Sequence, residues 1–219
     1  MALALFDLDN TLIAGDSDHL WGEYLVDRQL VDAERHELQN DHYYTQYQAG
    51  TLDILDYLEF ALNPIARMTP EAVRELQWPF MKNYVEKILL NAAFDLIAYH
   101  RQRGDTLVIV TATNSVVTRP IADRLGIEHL IACDAELIDG YYTGKPTGVP
   151  SFAEGKVTRI NEWRASNSKT FDTSYFYSDS HNDLPLLREV DHATAVDPDE
   201  KLALFAANAG WPIISLRND

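Results

Sequence analysis

Residues 2–12 read Ala2-Leu3-Ala4-Leu5-Phe6-Asp7-Leu8-Asp9-Asn10-Thr11-Leu12, and the fold turns on how this stretch is understood. Leu3 to Phe6 is an apolar run too short for a helix and suited to a strand buried on both faces, as in a parallel sheet. The run ends on two aspartates two residues apart, so both carboxylates can face one pocket beyond the strand's carboxyl end. A polar turn from Asp7 to Gly15 is the plainer reading, because Asp and Asn dominate turns. What the other strand ends carry decides between the two.

Further along, from Asp18 to about Gly104, the periodicity is helical. Trp21, Tyr24 and Leu25 share one face; Ile54, Leu55, Leu58 and Leu62 share another. Thr69-Pro70 is an N-cap and first-turn pair. His100, Arg101 and Arg103 before Gly104 form a helix stop. Strand chemistry then returns at 107–110, 129–133, 175–177, 193–196 and 213–215, with helices expected at 115–125, 156–163, 184–189 and 198–208. A hairpin is expected about Gly140, with arms 136–138 and 141–143. Strands alternating with helices predict an α/β fold, a doubly wound parallel sheet covered on both faces. A parallel crossover needs only a dozen or more residues, so the long helical stretch reads as an inserted all-helical cap. The expected division is a core of residues 1–15 plus 96–219 and a cap of residues 16–95.

Three more strand ends carry polar clusters like the first. Thr111 follows Leu-Val-Ile-Val and precedes Ala112, Thr113 and Asn114; a hydroxyl beside free N–H groups that open a helix cradles phosphate, although an N-cap threonine has the same appearance. Lys156, in Glu154-Gly155-Lys156, puts a cation at a helix start against the dipole, or is simply a surface lysine. Ser178-Asp179-Ser180-His181-Asn182-Asp183 follows Tyr-Phe-Tyr and is again either a turn or a site. Ligands of such sheets bind beyond the carboxyl ends of the strands. Together the clusters put four carboxylates, a hydroxyl and an ammonium at one sheet edge. Four carboxylates in one cleft repel unless a divalent cation neutralises them. Oxygen ligands without Cys or clustered His favour Mg²⁺.

Taken in order, Asp7-Leu8-Asp9-Asn10-Thr11, Thr111, Lys156 and Asp179 with Asp183 resemble the four motifs of the haloacid dehalogenase superfamily, and the resemblance spans the whole chain. Asp9 resembles the mark of the phosphatase branch. A helical cap between the first and second motifs is similar to subfamily IB, which contains phosphoserine phosphatase and bacterial histidinol-phosphate phosphatases. The resemblance implies a Rossmann-like core and a small-molecule phosphate ester as substrate. It implies that Asp7 attacks phosphorus to form an aspartyl-phosphate and that Asp9 serves as acid and then base. Asp7, Asp9 through its carbonyl, and Asp179 would hold Mg²⁺, with Asp183 steadying the metal shell. Thr111, the Ala112 N–H, Lys156 and Asn182 would meet the phosphate. Asp16 stands where phosphoserine phosphatases carry a glutamate that meets the substrate's amino group. The cap stretch 57–62 lacks the arginine with which those enzymes grip a carboxylate. An amine-bearing ester without a carboxylate, histidinol phosphate, fits better than phosphoserine, which stays open. Transfer of the phosphoryl group to an alcohol also stays open. A non-catalytic binding protein would be expected to lack a motif carboxylate, and none is missing.

The chain has 219 residues with 18 basic and 34 acidic side chains, a net charge of −16. That balance disfavours nucleic acid and anionic membranes as partners. Residues 16–95 hold 15 acids against 6 bases, which favours a cationic substrate or marks a solvated helical face. Trp21, Tyr24, Tyr43, Tyr44 and Tyr47 can stack on an imidazole, although the core is the plainer place for most of them. His19 and His181 lie near the expected mouth. The single cysteine, Cys133, sits in an apolar run, which suggests a small buried hydrophobe and a cytoplasmic address. The start of the chain lacks the basic segment and longer apolar stretch of a signal peptide, and no run of about 18 apolar residues predicts a membrane span. Oligomeric state is not legible.

Overall fold

The computed structural model describes residues 1–217. The chain runs β1 (Ala2–Phe6), α1 (Ser17–Asp27), α2 (Ala33–Ala49), α3 (Ile54–Leu62), α4 (Pro70–Asn83), α5 (Asn91–Gln102), β2 (Thr106–Asn114), α6 (Ser115–Leu125), β3 (His129–Ile138) and β4 (Tyr141–Thr147). It continues through α7 (Glu154–Ser166), β5 (Thr173–Ser178), α8 (Leu184–Leu187), β6 (His192–Val196), α9 (Glu200–Ala209) and β7 (Ile213–Ile214). The strands form one sheet in the order β4-β3-β2-β1-β5-β6-β7. All pairs are parallel except the β3–β4 hairpin.

Alternation along β1 builds two cores. Leu3 and Leu5 join Val108, Val110 and Phe176 under Ile160 of α7, Leu186 of α8 and Leu202 of α9. Ala4 and Phe6 join Ile109 and Tyr177 under Ile97 of α5 and Ile121 of α6. The second core continues without a break into α1 and α4, where Trp21 meets Phe80 edge-to-face at 5.0 Å. The sheet is therefore doubly wound, with α1 to α4 inserted after the first strand. From β1 the chain builds outward through β2 and β3 on one side and through β5, β6 and β7 on the other. The crevice beyond the carboxyl ends of β1 and β5 is the switch point at which such sheets bind ligands.

Several boundaries differ from the sequence expectation. β2 runs through Asn114, past the expected end at 110, so Asn114 and not Thr111 caps α6, its side chain accepting from the Val117 N–H at 3.2 Å. β3 continues to Ile138 because it feeds the hairpin, turned by Asp139 and Gly140 with φ of 51° and 82°. That is the two-residue turn that fits the sheet's twist. On α3, Leu58 and Leu62 are buried but Leu55 is exposed, because Ile54 and Tyr57 face a cleft instead of the core. The expected boundary at 95/96 falls inside α5. Among the described residues no helix is long and apolar enough to cross a membrane.

Candidate active site

Asp7 lies one residue beyond β1. Its N–H donates to the Tyr177 carbonyl at 2.9 Å, which extends the ladder and fixes the carboxylate against β5. Lys156, in the first turn of α7, is buried and donates to Asp7 Oδ1 at 2.9 Å and Asp183 Oδ2 at 2.7 Å. Ser178 Oγ, at the end of β5, donates to the same Asp183 oxygen at 2.7 Å. Removing either carboxylate would leave the buried ammonium short of a partner, which is costly in a low-dielectric site. The start of α7 is forced close to the chain before it: Ala153 has φ 47°, and a Cβ on Gly155 would lie 2.0 Å from the Pro150 carbonyl oxygen.

Asp9 faces the end of β2. Its Oδ2 accepts from Thr113 Oγ1 at 2.9 Å and Thr111 Oγ1 at 3.3 Å, and its Oδ1 accepts from the Ser17 N–H at 2.6 Å. The extra residues of β2 are what bring Thr113 here. Asp179, beyond β5, is tied to the first loop by Thr11, whose Oγ1 donates to Asp179 Oδ1 at 3.3 Å and accepts from the Asp179 N–H at 3.0 Å. Asn182 reaches α2, donating to the Tyr47 carbonyl at 3.4 Å.

Asp7, Asp9, Asp16, Thr111, Ala112, Lys156, Asn182 and Asp183 line one cleft. Asp179 lines an adjoining cleft that shares Asp9, Asp16, Tyr44 and Tyr47 with the first. Tyr47 of α2 belongs to both and donates its hydroxyl to Ser180 Oγ at 3.0 Å. Of the aromatics on α1 and α2, Trp21 and Tyr24 are core, whereas Tyr43, Tyr44 and Tyr47 line the cleft. His19 lines it too, with Nδ1 2.7 Å from Asn40 Nδ2; His181 is held by Asp199 at 2.7 Å in the adjoining cleft.

Burial raises the Asp7 carboxyl above its ordinary range; the Lys156 ammonium opposes this, and Asp183 and Asp9 add to it. Burial and then the charge of Asp16 raise Asp9. Asp179 is pushed well above the usual carboxylate range by burial and by Asp7 and Asp183. Burial works to lower Lys156, but Asp183 and Asp7 outweigh it and raise the ammonium's pKa. Negative charge at the switch point thus exceeds what one lysine balances. The donor set fits a hard divalent cation held by the Asp7 and Asp179 carboxylates, with the remaining positions left to carbonyl, phosphate and water oxygens. Among the described residues no three His, Cys, Asp or Glu side chains form a metal cage. Mg²⁺ suits such a site because it keeps several waters.

Three contributors were not singled out in the sequence. Thr113 and Ser178 orient Asp9 and Asp183, and Asp18 is a buried member of the cleft lining. Asp16 caps α1, its Oδ1 accepting from the N–H groups of Asp18 and His19, both at 2.9 Å. Asp18 points inward and accepts from Tyr57 Oη at 2.7 Å and Asn114 Nδ2 at 3.2 Å. Burial, then repulsion from Asp16, pushes its carboxyl up to about 7. An Asp-x-Asp pair at a helix start was the available signal, since the first aspartate caps and the second is carried onto the helix face.

Residues 4–188 match the haloacid dehalogenase-like hydrolases. A histidinol-phosphatase of Neisseria meningitidis serogroup C is 42% identical over 98% of this chain and 99% of its own. The crystal structure of a protein with unknown function from Bordetella pertussis Tohama I is similar with a TM-score of 0.92, 41% identity and 98% coverage of both chains. A phospho-aspartyl intermediate analogue of phosphoserine phosphatase shares the fold with a TM-score of 0.67 at 17% identity, covering 100% of this chain and 94% of that one.

Proposed function

The chain belongs to the haloacid dehalogenase-like hydrolase family and is a phosphatase, and from that premise we propose that it hydrolyses histidinol phosphate through an aspartyl-phosphate formed on Asp7. The observation that carries the substrate reading is the composition of the cleft: Asp16, Asp18 and four tyrosines line its cap side, and no arginine is among its lining residues. A phosphate ester that ends in a carboxylate would meet repulsion there. One that ends in an amine and an imidazole meets counter-charge and aromatic walls.

Asp7 attacks phosphorus in line while Lys156 offsets charge on the phosphate oxygens. Thr111, the Ala112 N–H and Asn182 orient those oxygens. Asp9, oriented by Thr113 Oγ1 and the Ser17 N–H, protonates the leaving alkoxide and then takes a proton from the water that cleaves the aspartyl-phosphate. Asp7, Asp179 and the Asp9 carbonyl would hold Mg²⁺, with Asp183 steadying the shell, and the ion would supply charge neutralisation at the phosphate. We further propose that the helices α1 to α4, within the expected stretch 16–95, form the cap that excludes water during the first step. A cytoplasmic setting agrees with a lone, buried Cys133.

The test is kcat/KM on histidinol phosphate, phosphoserine and short sugar phosphates, with Mg²⁺ and after chelation, for the wild type and Asp7→Asn. Histidinol phosphate should lead by at least about tenfold, and both chelation and Asp7→Asn should reduce turnover by roughly a thousandfold or more. Preference for phosphoserine overturns the substrate reading. Substantial turnover by the folded Asp7→Asn variant overturns the nucleophile.

A further inference from the structure

Asp18 is a buried carboxylate that the mechanism above does not use. It is 6% exposed, and its position is set by three separate elements. α1 carries it, Tyr57 of α3 donates to one oxygen, and Asn114 donates to the other. Asn114 is itself immobilised, because its side-chain oxygen caps α6. Such convergence orients a charge instead of leaving it to solvent.

No positive group of the cleft answers that charge. Lys156 is committed to Asp7 and Asp183. His19 points its Nδ1 at Asn40 and its Nε2 at Glu23, 3.4 Å away. A buried carboxylate with two neutral donors and no cation costs folding free energy, and a cationic ligand entering the cleft removes that cost. Asp16 is the weaker candidate for the same task, since two backbone N–H groups already occupy its Oδ1. Beside Asp18, the rings of Tyr57 and Tyr43 meet edge-to-face at 5.3 Å with an interplanar angle of 68°. Both rings line the cleft and offer a wall for a flat cation.

We propose that Asp18, held by Tyr57 and Asn114, is the specificity residue that selects a planar cationic group, the imidazolium of the substrate, and that Asp16 serves chiefly to cap α1. This assignment rests on the histidinol phosphate reading. In wild type, Asp18→Asn and Tyr57→Phe, kcat and KM are measured on histidinol phosphate, on ethanolamine phosphate (an ammonium without a ring) and on p-nitrophenyl phosphate (a ring without a cation). The quantity read is the ratio of kcat/KM values on one sample, which is independent of how much of the sample is folded. Asp18→Asn should lower the ratio of histidinol phosphate to p-nitrophenyl phosphate by at least about tenfold, mainly through KM. Tyr57→Phe should lower it by about threefold. The ratio for ethanolamine phosphate should fall less than that for histidinol phosphate. A ratio within about twofold of wild type in Asp18→Asn, or equal loss on all three esters, overturns the assignment while leaving the substrate reading intact. A wild-type enzyme with no preference for histidinol phosphate overturns both.

Discussion

A helix that begins at Ser17 separates two neighbouring aspartates. Asp16, with extended backbone, turns its side chain onto the first N–H groups of α1, whereas Asp18, one turn position on, is directed into the cleft. The price of Asp18 falls on stability, and its sign can be worked out. The carboxyl is raised from an ordinary 3.8 to about 7 in the folded protein. Below about pH 4 it is protonated whether the chain is folded or unfolded, and nothing is lost. Between about pH 4 and pH 7 the folded state holds the extra proton, so stability falls as pH rises; above pH 7 the full penalty applies. Asp18→Asn without substrate should therefore unfold at a higher temperature than wild type, by an amount that grows from pH 4, levels off above pH 7 and corresponds to about 1–4 kcal/mol. Melting curves across that range check it; a difference that does not change with pH, or a less stable variant at pH 8, contradicts it. At this scale the sequence singled out Asp7, Asp9, Lys156, Asp179 and Asp183 because they follow a strand or stand at a helix start, and Thr111 because the apolar run of β2 stops there although the strand itself continues to Asn114. Asp18 and Thr113 were hidden because their directions depend on where a helix begins and how far a strand continues.

The beginning of α7 controls the lysine on which the cleft's charge balance depends. Gly155 lies against the Pro150 carbonyl, and a methyl group there would stand 2.0 Å from that oxygen. The obstacle is backbone, so relief requires displacing the first turn of α7 and Lys156 with it. Gly155→Ala should destabilise the fold by about 1–3 kcal/mol, the usual cost of overpacking. It should also reduce kcat/KM even in the fraction that remains folded. Thermal unfolding paired with kinetics on that fraction tests this, and a variant with wild-type melting temperature and activity rules out the tight approach. Elements with strong local signals were legible: the Asp139–Gly140 hairpin, the Thr69-Pro70 helix start and the short apolar strands. β2 was read too short because Thr111-Ala112-Thr113-Asn114 carries no apolar run, and pairing of Asn114 with Cys133 in β3 is what keeps it extended. Leu55 was assigned to the buried face of α3 because periodicity gives a stripe but not its width.

For the whole molecule the dominant quantity is a net charge of −16. Self-repulsion of that size opposes compactness and is screened within about 10 Å at 0.1 M salt. Raising sodium chloride from roughly 20 mM to 200 mM should raise the melting temperature by a few degrees; an unchanged or lower value would mean that the charge is balanced locally. The doubly wound class and the inserted helices were legible from the alternation of elements. The continuity of one core from the sheet into α1 and α4 was not, because sequence periodicity marks a buried face without naming what covers it. The sheet order has a further consequence for biosynthesis. The strand made first is the innermost one, flanked by segments beginning at Thr106 and Thr173. During translation its oily residues must wait for their first neighbour while roughly 100 more amino acids are added, on the order of 5–20 s at ordinary ribosome speeds. The second neighbour comes later still. The intervening helices can settle in that interval, so the loop that carries Asp7 and Asp9 is completed only once the segment beginning at Thr173 has been made.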